Sequence, residues 1–257
     1  MEYEQQEIVY GKNAVTELLT SGSAVDTVYL SESLAQGSAS YYTALAKKAG
    51  AVVKRVHNQK LKTLCRTEAH QGIAAFAASI PYLGLEDLLA AAREKGEAPF
   101  LLLADGVEDP YNLGALIRTA FLCGAHGIVI PRRGGVGITP AVHKASAGAA
   151  SRLPVARVAN IGEAIRRLKE QNLFVYCADM DGEEMHRHDL TGGVALVAGA
   201  EGRGVSPLVK KLCDGVVRLD MAPGRGGVDS FNVSVATGIV LYEIAWQRAR
   251  KGGEGNG

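Results

Sequence analysis

Cysteine is scarce and scattered in this chain of 257 residues. The four cysteines, Cys65, Cys123, Cys177 and Cys213, form no CxxC pair. Neither a zinc site nor a disulfide framework is therefore indicated, and each cysteine is expected to be a small buried hydrophobic residue. Long apolar runs are missing too, since none approaches the ~20 residues that a membrane helix needs. Because residues 1–7 are polar and acidic, unlike the basic start of a secretory signal, we expect a soluble, cytoplasmic protein with no membrane partner.

Several common motifs are also absent. The chain contains no GxxxxGK[ST] phosphate loop, no GxGxxG dinucleotide fingerprint and no GxSxG nucleophile elbow. His186 and His188, near Asp181, Glu183 and Glu184, could be read as a metal cluster, but the polar sequence around them favours a solvated loop. P-loop nucleotidases and standard dinucleotide enzymes are disfavoured, and no metal site is predicted.

Glycine, in contrast, is abundant, with 31 residues and no collagen-like period. Hydrophobic residues make up 47% and charged residues 21% of the chain, and 28 Lys and Arg against 27 Asp and Glu leave a net charge of +1. This is the composition of a globular protein, which argues against general disorder. A histone-like polycation is excluded, but nucleic-acid binding is not, because it depends on where the charges lie.

The positive charge is gathered into two blocks without acidic residues. The block between Ser33 and Thr67 holds seven basic residues: Lys47, Lys48, Lys54, Arg55, Lys60, Lys62 and Arg66. The block between Pro110 and Gly162 holds Arg118, Arg132, Arg133, Lys144, Arg152 and Arg157. One such run is commonly a solvated surface. Two favour a polyanionic partner, because clustered cations release counterions from phosphates, and Tyr41 and Tyr42 could either stack on bases or pack in the core.

Alternating strand and helix patterns predict two α/β domains, covering residues 1–80 and 100–257. In the first domain we predict strands at 28–30, 51–53 and from Gly72, and short helices at 42–49 and 60–65. Pro81 and Pro99 bracket a helical pattern at 85–95, and we interpret residues 81–99 as the connection.

The second domain repeats the alternation more strongly. Predicted strands lie at 100–104, 127–131, 174–178, 194–199 and 215–219. Predicted helices lie at 113–122, 161–171, 207–212 and 232–249. Strands that alternate with helices in this way predict a mostly parallel sheet covered on both faces.

Three turns rich in glycine or asparagine follow predicted strands, at residues 105–120, 197–206 and 219–238. In parallel α/β folds, ligands bind at the carboxyl ends of strands, where such turns meet. Glycine there lets the backbone approach a ligand closely. Asn112 and Arg118, six residues apart on one predicted helix, are expected to face the same cleft.

Ser230, Asn232 and Ser234 precede the last apolar helix, as capping residues would. Capping explains one or two of them but hardly all three.

The three turns resemble the signature motifs of the SPOUT-class, TrmH-type RNA ribose 2′-O-methyltransferases. Residues 112–118 are similar to N-x-G-x-x-x-R, residues 199–204 to G-A-E-G-x-G, and residues 230–243 to S-[LF]-N-V-S-V-A-x-G-I-x-L-Y-E. The first domain resembles that of the RlmB-type subgroup, which methylates 23S rRNA, in its opening IVYGKNAV at 8–15 and in HQGIA at 70–74.

The resemblance implies a deep trefoil knot in the second domain, with S-adenosylmethionine bound in it. It also implies an obligate homodimer that assembles each active site from both chains. By motif position the cofactor would contact Gly199, Ala200, Leu219, Met221 and Phe231, largely through main-chain groups. Residues 1–80 would be a small RNA-binding domain, similar to ribosomal RNA-binding proteins, and the seven basic residues of the first block would contact RNA.

Arg118 matches the essential arginine of the family. Because a guanidinium stays protonated and is a poor base, we expect Arg118 to clamp the adjacent phosphate and orient the 2′-hydroxyl. Asn112, Glu201, Ser230 and Asn232 match the other polar positions and would order Arg118 and the target nucleotide. Placement of the 2′-oxygen in line with the methyl group would account for most of the catalysis, so that no metal is needed.

The third motif departs from the family pattern. Asp220 stands where the family commonly has proline, and the segment 222–229, which contains Arg225, is longer than expected. The extra residues could lengthen the loop without adding a contact, or they could supply an additional phosphate contact.

These observations predict an S-adenosylmethionine-dependent methyltransferase that acts on a ribose, of guanosine by the resemblance, in 23S rRNA. A tRNA or another rRNA is an alternative substrate. A non-catalytic RNA-binding protein on the same fold is a rival from a different class, and the intact Arg118, Glu201 and Asn232 count against it. A nucleotide-binding metabolic enzyme is disfavoured by the missing phosphate loop.

Overall fold

The computed structural model describes residues 8–20, 25–77, 81–222 and 230–254. The chain divides into two compact units. The first comprises Met1–Pro81 with Gly137–Pro140, and the second comprises Tyr82–Val136 with Ala141–Gly257. Among the helices of the described residues, none combines the length and the apolar character that crossing a membrane requires.

The first unit is built on a mixed sheet of four strands. Its elements are β1 (Ile8–Tyr10), α1 (Lys12–Thr20), β2 (Val25–Ser31), α2 (Gln36–Lys48), β3 (Val52–Val56), α3 (Asn58–Cys65) and β4 (Ile73–Ala77). The strand order is β1-β4-β2-β3, and only β2 and β3 pair in parallel. Strand β3 is therefore an edge strand.

Helices α2 and α3 cover opposite faces of this sheet, because alternate side chains of β2 point in opposite directions. Val28 packs in a core with Tyr42, whereas Tyr29 packs in a second core with Leu61. The hydroxyl of Tyr42 donates to the carbonyl of Lys12 at 3.2 Å. Tyr42 is thus a core residue, and of the two tyrosines only Tyr41 is exposed.

The second unit follows the alternation predicted from residue 100 onward. From Tyr82 the elements are α4 (Leu85–Glu94), β5 (Phe100–Ala104), α5 (Pro110–Leu122), β6 (Gly127–Pro131), α6 (Pro140–Ala145), β7 (Val155–Val158), α7 (Ile161–Glu170), β8 (Phe174–Glu184), β9 (Val194–Ala198), α8 (Pro207–Leu212), β10 (Gly215–Arg218) and α9 (Val233–Glu254). The strand order is β10-β8-β9-β5-β6-β7, and every neighbouring pair is parallel. The predicted α/β fold with a parallel sheet is confirmed.

Helices α4, α7 and α8 cover one face of the parallel sheet, and α5 and α9 pack on the other. Helix α4 lies within the predicted connection, yet its Leu85, Leu88 and Leu89 share a core with the strands. A Cβ on Gly127 of β6 would lie 2.7 Å from a methyl group of Leu88 and 2.9 Å from the backbone carbonyl oxygen of Pro154. Glycine is therefore required where this helix meets the sheet.

Strand β1 of the first unit was not predicted, and two strands of the second unit differ from the sequence prediction. Strand β7 was not predicted, because it is a short edge strand that contains the polar Arg157. Strand β8 runs to Glu184, well beyond the predicted end at residue 178. Its polar second half pairs with β10 across an irregularity in register, with Val217 opposite Glu183. The predicted solvated loop is therefore wrong for Asp181, Glu183 and Glu184.

Candidate active site

A cavity of about 590 Å³ lies where the carboxyl ends of β9 and β10 meet the start of α9. Its wall is formed by residues 178–180 of β8, 198–204, Val217 with Leu219, and 230–237 in part. This volume is within the range of ~300–1,000 Å³ that is usual for pockets of small ligands.

Four of the five predicted cofactor residues line this cavity, namely Gly199, Ala200, Leu219 and Phe231. Met221 does not line it and is 39% exposed. The longer segment of the third motif cannot be placed against the cavity, because residues 223–229, with Arg225, lie outside the described residues.

A tight turn forms one side of the cavity. The backbone amides of Ala200 and Gly204 each donate to the other residue's carbonyl, at 2.9 and 2.8 Å. Gly202 and Gly204 have φ angles of +74° and +67°, which L-residues rarely adopt. A Cβ on Gly199 would lie 2.1 Å from the carbonyl carbon of Gly204. The glycines of the second motif are thus needed to close the turn that carries Glu201.

Three polar side chains from distant parts of the chain meet at the cavity. The Asn112 amide donates to Glu201 Oε2 at 3.0 Å. The Asn232 amide donates to Asn112 Oδ1 at 3.2 Å and to Glu201 Oε1 at 3.4 Å. Glu201 and Asn232 line the cavity, and Asn112 is only 9% exposed behind them. Three of the predicted catalytic residues therefore form one connected network.

Helix ends hold two members of this network in place. Asp109 caps α5 by accepting the backbone N–H of Asn112 at 2.8 Å, and Pro110 occupies the first helical turn. Asn232 caps α9, because its Oδ1 accepts the N–H of Ser234 at 2.9 Å. Since the oxygen of Asn232 is used in the cap, its amide nitrogen is directed at Asn112 and Glu201.

The two other predicted catalytic residues stand apart from the network. Ser230 is exposed at the cavity wall. Arg118 is exposed on α5 and does not line the cavity, and its side chain has no hydrogen bond or ion pair with the residues that the structure describes. Arg118 therefore does not reach this cavity in its own chain, and a cleft shared by Arg118 and Asn112 stays a prediction.

The cavity also contains a carboxylate that the sequence prediction missed. Asp179 of β8 lines the wall and accepts Lys210 Nζ at 2.9 Å, and Lys210 also bonds Asp181 at 2.5 Å. The hydrogen bond from Lys210 lowers the pKa of the Asp181 carboxyl. The acidic run of 179–184 resembled a loop. The available signal was that Asp179 directly follows the apolar run of a predicted strand.

Comparison with known families decides the affiliation of this site. Residues 99–242 match the SpoU rRNA Methylase family, and residues 8–83 match the family described as RNA 2'-O ribose methyltransferase substrate binding. The chain belongs to the SpoU rRNA methylase family. The predicted resemblance and the assignment to the RNA methyltransferases are thereby confirmed.

Two relatives of this SpoU methylase align over nearly their whole length. YacO of Bacillus subtilis, a TrmH family tRNA/rRNA methyltransferase by name, is 43% identical over 95% of this chain and 97% of its own. The 23S rRNA (guanosine-2'-O-)-methyltransferase RlmB of Ralstonia nicotianae is 35% identical over 95% of this chain and 97% of its own.

Solved structures share the fold. The SpoU methyltransferase AviRb of Streptomyces viridochromogenes, in complex with AdoMet, superposes with a TM-score of 0.59 at 23% identity, covering 95% of this chain and 90% of its own. The AdoMet-bound rRNA methyltransferase of Sinorhizobium meliloti gives a TM-score of 0.56 at 25% identity, covering 92% and 85%.

The substrate-binding unit of this SpoU methylase carries the seven basic residues of the first block, and all of them are exposed. They lie on the end of α2 (Lys47, Lys48), on β3 (Lys54, Arg55), on α3 (Lys60, Lys62) and directly after it (Arg66). Because α2 and α3 cover opposite faces, the charges surround the β3 edge instead of covering one face. Lys62 is paired with Glu68 at 2.5 Å.

Proposed function

We propose that this SpoU methylase transfers a methyl group from S-adenosylmethionine to a ribose 2′-hydroxyl of RNA, and that the substrate is a guanosine of 23S rRNA. The observation that carries the proposal is the network of Asn112, Glu201 and Asn232, of which Glu201 and Asn232 line the cavity. The 35% identity to the Ralstonia RlmB supports the rRNA substrate. The 43% identity to YacO, a tRNA/rRNA methyltransferase by name, keeps tRNA as the alternative.

The residues of the cavity fit S-adenosylmethionine. Leu219, Phe231 and Val217 supply an apolar surface for an adenine ring, and the wall includes the carboxylates of Asp179 and Glu201. Carboxylates suit a ligand that carries an ammonium group, a sulfonium and ribose hydroxyls. The glycines of the turn at Gly199–Gly204 leave no side chain between the backbone and the ligand. Gly199, Ala200, Leu219, Met221 and Phe231 are accordingly proposed as cofactor contacts, with Met221 acting through its main chain.

When bound, S-adenosylmethionine supplies an electrophilic methyl group. The protein then has to place one ribose hydroxyl in line with it. Glu201, fixed by two amide donors, and the exposed hydroxyl of Ser230 are available to hold the target nucleotide. Arg118 clamps the neighbouring phosphate.

The same proposal includes a homodimer. Helices α5 and α9 expose a groove lined by Ala115, Val235, Ile239 and Tyr242, and Tyr242 is 67% exposed. A second copy of the chain covers this apolar groove, and each active site is assembled from both chains. This arrangement accounts for an Arg118 that does not reach the cavity of its own chain. The knot of the second domain and a cytoplasmic location also remain part of the proposal.

The test is to incubate the protein with tritiated S-adenosylmethionine and unmodified 23S rRNA or tRNA, with Arg118→Ala in parallel. Label in a ribose of 23S rRNA that the variant loses supports the proposal. Label in tRNA alone supports the proposed reaction but overturns 23S rRNA as the substrate. If the protein binds RNA but neither binds the cofactor nor transfers a methyl group, the assignment as an enzyme is overturned and the non-catalytic RNA-binding protein is favoured.

A further inference from the structure

The exposed arginines of the second unit differ in their partners. Arg166 and Arg167 of α7 lie 3.3 and 3.7 Å from Glu163, and Arg218 of β10 lies 2.9 Å from Asp220. By contrast, Arg132 and Arg133 are exposed, and neither has a hydrogen bond, ion pair or ring contact from its side chain to any residue that the structure describes. Their charges are left for an external anion.

These two arginines follow β6 at the carboxyl edge of the parallel sheet, which is the edge that carries the cavity. The backbone N–H of Arg132 donates to the carbonyl of Val158 at 2.7 Å, so β7 fixes the start of the segment. Its end is fixed by Val136, whose N–H donates to the carbonyl of Val107 at 2.9 Å. The segment is held at both ends while its two guanidinium groups extend into solvent.

Contacts between loops connect this segment to the cavity. A Cβ on Gly106, in the loop after β5, would lie 3.9 Å from the carbonyl oxygen of Gly134 and 3.4 Å from the Cβ of Ala200. Ala200 lines the cavity. Only one strand separates β6 from β9, which corresponds to about 10 Å at the usual strand spacing.

We propose that Arg132 and Arg133 form a phosphate-binding site for the substrate RNA beside the target nucleotide. The proposal rests on the proposed function and adds a contact for the strand that flanks the methylated ribose. Guanidinium groups bind phosphate oxygens in a bidentate manner, and this ligand explains two adjacent exposed cations without a carboxylate partner. The site positions the RNA, so it contributes to RNA affinity and not to the chemical step.

The experiment compares Arg132→Ala/Arg133→Ala with Arg166→Ala/Arg167→Ala. Both double variants remove two adjacent, exposed arginines of the same unit and change the net charge equally. Affinity for a 23S rRNA transcript, and for tRNA, is measured by filter binding over a range of salt concentrations. The KM for RNA, kcat and the Kd for S-adenosylmethionine are measured with the full-length protein.

For the 132/133 variant we expect RNA affinity to fall roughly tenfold, and the slope of log K against log salt to decrease by about 1.5, since two phosphate contacts are lost. The KM for RNA rises in parallel, while kcat and the Kd for S-adenosylmethionine stay unchanged. The 166/167 variant retains wild-type RNA affinity. Arg132→Lys/Arg133→Lys retains the salt slope, because it keeps both charges.

Equal RNA affinity of the two alanine variants overturns the inference, as does a wild-type protein that binds no RNA. A protein that binds RNA through Arg132 and Arg133 but transfers no methyl group sustains the inference and contradicts the proposed function. A fall in kcat with an unchanged KM also overturns it, because the arginines would then act in the chemical step.

Discussion

The side-chain amide nitrogen of Asn232 lies 3.2 Å from Oδ1 of Asn112, although 120 positions separate the two residues in sequence. Asn232 has a second task, since its oxygen accepts the backbone N–H groups of Ser234 and Val235. One amide group thus caps α9 and completes the polar network. The two tasks use different atoms and can be separated by substitution.

We expect Asn232→Ser to abolish methyl transfer with little loss of stability, because serine caps a helix about as well as asparagine but has no amide nitrogen for Asn112 and Glu201. Asn232→Ala is expected to lose both activity and about 1 kcal/mol of the free energy of unfolding. Urea denaturation and tritium transfer measure the two effects. A serine variant with wild-type activity would show that the network is not needed for catalysis.

Asp179 is expected to contribute to cofactor binding. Asp179→Asn replaces a charged acceptor in the cavity wall, and hydrogen bonds to charged groups are worth about 1.5–3 kcal/mol. We expect the Kd for S-adenosylmethionine to rise about tenfold or more by isothermal titration calorimetry. Asp181→Asn is the matched control, because Asp181 binds the same Lys210 but does not line the cavity. Equal effects of both variants would mean that the loss of Lys210's partner, and not a cofactor contact, is responsible.

We expect His126 to make the stability of the second unit depend on pH. Burial lowers the pKa of its imidazole, against an opposing contribution from Glu97. Its Nδ1 accepts the N–H of Phe100 at 3.0 Å and its Nε2 lies 3.0 Å from Glu97, an arrangement that suits the neutral ring with the proton on Nε2.

Because the pKa of His126 is lower in the folded protein, the unfolded chain binds more protons as the pH falls below the ordinary histidine pKa of about 6.5. The contribution is fully present above that pH and is lost below it, with a slope of at most about 1.4 kcal/mol per pH unit. Urea titrations between pH 7.5 and 5.5 measure this slope. His126→Asn, whose oxygen can still accept from Phe100, is expected to flatten it. An unchanged slope would assign the acid sensitivity to other groups.

The sequence predicts the network well and its surroundings less well. The turns that carry Asn112, Glu201 and Asn232 follow strands of a parallel sheet, whose carboxyl ends converge, and the family resemblance selects these three residues within the turns. Arg118 could not be placed, because its direction depends on the rotation of α5. Asp179 was hidden in a run whose polarity resembles a loop, and this run is a strand only because its backbone pairs with β10.

The proposed dimer leads to a final prediction. Tyr242 is 67% exposed at the groove between α5 and α9, and a carboxylate in an apolar interface is costly to desolvate. We expect Tyr242→Asp to sediment as a monomer and to lose methyl transfer, because in the proposed dimer each active site is assembled from both chains. Leu208→Asp is the control, since Leu208 is 63% exposed on α8, outside this groove, and should leave the dimer and the activity intact. Analytical ultracentrifugation and tritium transfer on the same samples decide the matter: a monomeric Tyr242→Asp protein with full activity would show that one chain suffices for catalysis.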